Sequence, residues 1–360
     1  MRRILTFVLT ALVAPVMPGA TIGFTVDKIA SDQPGAAKIP DSNLVNAWGL
    51  ISSGTSPWWI GANGSGTSLV YNGATETKNN LTVTIPGDGS VTGVAFNGTA
   101  GFNGDLFLFG SEDGTVSGWR GSLGTTAETL VVGSADNVYK GITVGSVGGN
   151  IYAYLANFHA GRIDVEKGTA GAPDLAGNFT DPNLPSGYAP FNVMNLGGTL
   201  FVTYAQQDGA GHDDVPGAGH GFVDAFDLNG NLLTRLVTGG ALDSPWGLAL
   251  APAAFPVFGG DLLVGNFGDG TINAFNPTSG SFLGTLSDGS GNQLMIDGVW
   301  GIQFGNGGNA GPANQLYFTA GPGGESHGLF GALDPTPEPG AWLLSASGLA
   351  ILFKRLRRQS

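Results

Sequence analysis

The chain has 360 residues, 63 of them glycine, no cysteine and only 11% charged residues, with a formal net charge of −13. Without cysteine it has neither a disulfide framework nor thiol chemistry, and the acidic balance excludes nucleic acid and anionic lipid as partners of the folded part. A single chain of this length usually splits into domains unless it grows by repetition.

In chain order, residues 1–20 come first. Arg2-Arg3, an apolar run from Ile4 to Val16 and then Pro18-Gly19-Ala20 follow the pattern of a secretory signal peptide. Next is an isolated strand, Thr21 to Ile29, with no neighbour in sequence to pair with. A three-residue signal then recurs, a bulky residue, Gly and an aliphatic residue: Trp48-Gly49-Leu50, Thr92-Gly93-Val94, Lys140-Gly141-Ile142, Trp246-Gly247-Leu248 and Trp300-Gly301-Ile302, with Phe191-Asn192-Val193 as a degenerate copy. Its spacing of 44 to 55 residues is that of propeller blades.

The stretch from Ser244 to Leu286 displays one whole repeat. Strands are expected over Trp246–Leu250, Asp261–Asn266, Thr271–Phe275 and Ser281–Leu286, with turns at Gly268-Asp269-Gly270 and Asn276–Gly280. Such a sheet is apolar on both faces and needs copies of itself on either side. The six starts predict an all-β, six-bladed propeller of four-stranded antiparallel blades over residues 21–335. The sixth repeat ends at Leu333-Asp334 without a fourth strand, and Phe24 to Ile29 is expected to pair with Gly328 to Leu333, closing the ring and leaving no open sheet edge. A stacked solenoid would need shorter repeats, and paired sandwiches would not leave a lone strand at one end and a missing one at the other.

Residues 336–360 carry Pro337-Glu338-Pro339, an apolar helix-length stretch from Ala341 to Phe353, and a basic tail of Lys354, Arg355, Arg357 and Arg358. This triad resembles the PEP-CTERM sorting signal of Gram-negative bacteria, with Thr336 where an aliphatic residue is common. The resemblance implies recognition by an exosortase, transient residence at the inner membrane through the C-terminal segment alone, and a final place at the cell surface or outside the cell. The body, through NLVNAWGL (43–50), SPWGL (244–248), LYFTAGP (316–322) and HGLFG (327–331), resembles a family of exported bacterial propellers of uncharacterised function. That resemblance implies a fold and an exported location but no reaction.

Chemistry is sparse. There is no G-x-S-x-G elbow, no H-E-x-x-H and no P-loop, so no catalytic residue is assigned. In each blade the strands run a to d outward from the channel, and the b–c loops open on one face. Asn63, Asn157 and Asn266 fall at the end of strand b in their blades, with Gln206 and Ser111 equivalent; capping of strand ends by Asn amides is the structural alternative. All four histidines, His159, His212, His220 and His327, are expected in b–c loops. The long loop from Gln207 to His220 adds Asp213 and Asp214. His159, His212, His220, Asp213 and Asp214 together would suit zinc or another transition ion, and the Asn set alone calcium, so one divalent metal ion is an open possibility. Two functions stand side by side. One is a non-catalytic binding or matrix component, associated with exopolysaccharide. The other is a metal-dependent hydrolase or lactonase-like propeller with its site at the channel mouth.

Overall fold

The computed structural model describes residues 22–336. The expected signal peptide, the Pro337-Glu338-Pro339 motif, the expected apolar C-terminal helix and the basic tail lie outside the described residues.

Six sheets follow one another along the chain. Blade one is Ala47–Ile51, Trp58–Ala62, Thr67–Asn72 and Thr77–Thr84. Blade two is Val91–Phe96, Phe107–Ser111, Val116–Trp119 and Glu128–Val131. Blade three is Tyr139–Val147, Asn150–Asn157 and Arg162–Lys167. Blade four is Tyr188–Leu196, Thr199–Gln206, Phe222–Asp227 and Leu232–Thr238, and blade five is Pro245–Leu250, Leu262–Asn266, Ile272–Phe275 and Phe282–Thr285. Blade six is Val299–Phe304, Leu316–Ala320 and Leu329–Pro335, and its fourth strand is Phe24–Ser31 from the other end of the chain. This closing strand pairs antiparallel from Phe24↔Pro335 to Ser31↔Leu329, as expected, and Ile39–Pro40 adds a short parallel fifth strand outside it. The protein is an all-β, six-bladed propeller.

Alternation along each strand sends successive side chains to opposite neighbours. Trp58 and Ile60 pack toward blade six, while Trp59 between them packs toward blade two. Six apolar layers result, one between each pair of adjacent blades, and a seventh cluster lies at the centre.

The repeated bulky-Gly-aliphatic signal begins each innermost strand, and each of those strands shifts register there. The glycine is required by the next blade. A Cβ on Gly49 would stand 2.5 Å from the Thr92 carbonyl oxygen, and one on Gly141 would stand 2.1 Å from the Asn192 side chain. Blade four has Asn192 at this point, and its amide donates across the gap to the Trp246 carbonyl at 2.8 Å.

Blade three departs from the expected four strands. After Arg162–Lys167 the chain forms no strand until Tyr188. The intervening stretch contains Pro173, Pro182 and Pro185, which cannot donate to a ladder. It leaves for blade four, where Gly177 and Phe179 donate to the Asn229 and Gly230 carbonyls at 2.8 and 3.0 Å and Asp181 pairs with Arg235.

Candidate functional site

The bulky residues of the start signal fill the channel. Trp48, Phe191, Trp246 and Trp300, from blades one, four, five and six, form one buried cluster with Phe158 of blade three. Such contacts between non-adjacent blades are possible only across the channel. Trp300 stacks on Trp48 at 3.8 Å and on Phe267 at 3.9 Å. The indole N–H groups of Trp246 and Trp300 donate to the Lys140 carbonyl at 2.9 Å and to Asn46 Oδ1 at 3.1 Å.

Lys140 is the exception among the plugging residues. It occupies the start position of blade three, is 2% exposed, and extends its ammonium over the Trp48 ring at 5.3 Å. It pairs with Glu112 Oε1, on the b–c loop of blade two, and lies 3.4 Å from Asp213 Oδ1 on the long loop of blade four. A buried ammonium is tolerated only when paired, and here a carboxylate and an aromatic face supply the pairing.

More acids ring it. Glu112 Oε2 accepts from Asn63 Nδ2 at 2.9 Å, and Asn63 Oδ1 accepts from Asn46 Nδ2 at 3.4 Å. Glu325, held at φ +65°, has its carboxyl pushed up by burial, then by the negative charge of Glu112. Asp214 is also pushed up, chiefly by burial, and Ser244 stands beside it. Asn46 and Ser244, two residues before Trp48 and Trp246, both hold left-handed φ values of +47° and +46°. Non-glycine residues in that region are strained, and such strain gathers at functional sites.

The metal-ligating options narrow accordingly. Ligand atoms of Glu112, His212 and Asp213 all lie within 4.8 Å of one another, and these three could hold an ion. Their chemistry, one imidazole and two carboxylates, suits a divalent metal, but Lys140 already draws on both carboxylates. His212 Nδ1 lies 2.8 Å from Asp213 Oδ1.

The other expected residues separate. All four histidines do fall in b–c loops, and of these His212 stands in the Glu112–Asp213 group of ligand atoms. His220 Nδ1 faces the Val215 carbonyl at 3.0 Å, His159 packs against Gly211, and His327 Nδ1 lies 2.9 Å from Asp32 Oδ2 beside the closing strand. Asn157 caps its loop, accepting from the Ala160 N–H at 3.1 Å and donating to Asp164 at 2.6 Å. Asn266 donates to the Ala241 carbonyl at 2.8 Å. Gln206 ends its strand, its carbonyl accepting from the Val215 N–H at 2.8 Å. Of the strand-end amides only Asn63 joins the mouth. Glu112, Lys140 and Asn46 were not among the expected site residues. Lys140 was legible as a charge in a register otherwise taken by Trp, Phe and Thr.

The fold and site define the class: a six-bladed propeller with an aromatic plug and a charged mouth built around one buried lysine. No family model matches the chain. It is 30% identical over 344 residues to uncharacterised protein R648 of Acanthamoeba polyphaga mimivirus, covering 87% of this chain and 81% of that protein, and it belongs to the same family. Two further matches are uncharacterised proteins of the same virus. Among solved structures, the WD40 β-propeller domain of Doa1 aligns with a TM-score of 0.48 at 13% identity, over 86% of this chain and 97% of that one. A streptogramin B lyase gives 0.48 at 13%, over 88% and 98%.

These matches correct the expected affiliation. The relatives are viral proteins rather than exported bacterial ones, and a Gram-negative inner-membrane route has no support. The resemblance to the sorting signal rested on a short pattern: three residues, an apolar stretch and a basic cluster. Its stretch of 13 residues from Ala341 to Phe353 is well short of the roughly 20 needed to cross a bilayer. Among the described residues no helix is long and apolar enough to cross a membrane.

Proposed function

We propose that this protein is a non-catalytic binding propeller whose partner meets the b–c loop face at the channel mouth and presents a positively charged group there. The observation that carries this reading is the commitment of the channel. Trp48, Trp246, Trp300 and Phe191 fill it, and Lys140 is locked to Glu112, so a partner engages the rim. That rim is acidic: Asp213 is 69% exposed on its side chain, and Glu325 and Asp214 lie behind it. A guanidinium or ammonium group would gain from all three, and charge complementarity of this kind steers association and selects partners.

A second reading, a metal-dependent hydrolase, is favoured by the Glu112, His212 and Asp213 ligand set. Calorimetric titration with an octalysine peptide and, separately, with Zn²⁺ and Ca²⁺ tests both. Peptide binding that weakens in Asp213→Asn and in Glu325→Gln supports the binding reading. One tightly held ion per chain, lost in His212→Ala and coupled to hydrolysis of a lactone, supports the second. Absence of peptide binding in the unmutated protein rejects the first.

A further inference from the structure

The third blade has an edge that the other five do not. Gly168 N–H donates to the Ile151 carbonyl at 2.8 Å, which fixes the phase of the ladder between Arg162–Lys167 and Asn150–Asn157. In an antiparallel ladder alternate residues exchange both bonds with one neighbour and the rest point the other way. Arg162, Asp164 and Glu166 therefore bond inward to strand b. Ile163, Val165 and Lys167 direct their N–H and C=O groups outward, where they have no hydrogen-bond partner among the described residues. In every other blade a fourth strand takes this position.

The space on either side is open. On one face a cavity of about 230 Å³ is lined by Ile163, Val165, Leu175 and Phe179, between the edge and the stretch that crosses to blade four. On the other face a cavity of about 430 Å³ is lined by Phe102, Val116, Leu130, Val131 and Glu166. A strand laid along the edge would send alternate side chains into the two. Charge narrows the occupant. Asp164 and Glu166 stand at the middle of the edge strand, and Asp164 is already paired with Arg162 at 2.6 Å. Among the described residues Glu166 has no such partner, and burial followed by the charge of Asp164 pushes its carboxyl upward. Charges along an edge also deter pairing between identical copies.

We propose that the free edge of blade three is a strand-addition site, which takes an extended segment of a partner protein carrying apolar side chains and a basic residue opposite Glu166. Backbone bonds to Ile163, Val165 and Lys167 supply the affinity, and the two cavities and Glu166 the selectivity.

The test uses the whole chain and three labelled octapeptides of alternating valine and threonine: one with a central lysine, one with glutamate in its place, and one with a central proline. Fluorescence anisotropy measures binding, and hydrogen exchange reads the amides of Ile163, Val165 and Lys167. The lysine peptide is expected to bind saturably and slow exchange at those three amides. The glutamate peptide is expected to bind about 10-fold more weakly through like-charge repulsion, and the proline peptide not at all. Val165→Pro removes an outward N–H without touching the bonds to strand b, and is expected to abolish binding. Should that variant fail to fold, exchange in the natural chain decides. Unchanged exchange at the three amides with the lysine peptide, or equal binding by a folded Val165→Pro, overturns the proposal. So does protection of the same amides in a dimer of the free chain, which would make a second copy the occupant.

Discussion

Blades six and three meet the same problem, the last strand of a blade, in opposite ways. Blade six recruits Phe24–Ser31 across the whole length of the chain and covers even that with Ile39–Pro40. Blade three goes without, because the chain that follows Lys167 forms no strand and by Gly177, Phe179 and Asp181 is bonded to blade four. Closure of the ring is therefore independent of completeness of each blade. The ring depends on the inner strands and the inter-blade layers, which are continuous all the way round, while an outer position can be left vacant.

The largest effect should follow from removing the closure. Deleting residues 24–31 exposes the Leu329–Pro335 edge and the apolar layer that Phe24 shares with Phe255. Aggregated protein without a cooperative melt is expected by size-exclusion chromatography and circular dichroism. A monomeric variant with unchanged melting would contradict a ring held by this strand.

Next is the inner anchor of blade three. Lys140→Met leaves Glu112 without its ammonium in the closed channel. Breaking a buried pair in this way costs about 3–5 kcal/mol, and denaturant unfolding should show a loss of that order. Lys140→Met with Glu112→Gln should recover most of it, and a double variant no better than the single would mean that the pair does not matter.

The stretch that abandons blade three can be probed through pH. Asp224, buried on strand c of blade four, lies near Asp181 of that stretch and 3.9 Å from Arg235. Burial first, then the charge of Asp181, pushes its carboxyl up to about 7. A raised folded-state value means that the native chain holds a proton which the unfolded chain releases between the ordinary carboxylate range and about 7. Stability should therefore fall as pH rises through that window, with a slope approaching ~1.4 kcal/mol per pH unit. Asp224→Asn should flatten the slope and be the more stable form at pH 8. An unchanged pH profile would show that Asp224 does not titrate there.

Much of this architecture could be read in the residues. The glycine of the repeated signal is needed because the neighbouring backbone comes within 2.5 Å of the Gly49 Cβ position, so the pattern marks a physical contact and locates every blade. The unpaired N-terminal strand foretold its own partner. The open edge was not legible, since a count of starts says nothing about where the chain goes between them; Pro173, Pro182 and Pro185 were the available warning. At the mouth, the b–c loop positions of the histidines were legible, whereas the contacts among Glu112, Lys140, Asn63 and Asn46 were not. Histidines drew attention by rarity, whereas His220 contacts the nearby Val215 carbonyl and His327 contacts Asp32 from the other end of the chain. Lys140 hid in a motif read for its glycine, and its partners Glu112 and Asp213 lie 28 and 73 residues from it in sequence.

The smallest expected effect is the sharpest contrast. Val165→Pro should cost less than about 1 kcal/mol, because the N–H it removes bonds to nothing among the described residues. A loss of several kcal/mol would mean that the edge is already paired.

The most direct measurement is hydrogen exchange on the free, unmutated protein, residue by residue along Arg162–Lys167 and Leu329–Pro335. Alternation is expected in blade three, with Asp164 and Glu166 protected and Ile163, Val165 and Lys167 exchanging fast, against continuous protection of the amides between Phe330 and Asp334 in blade six. Uniform protection along Arg162–Lys167 would contradict the open edge.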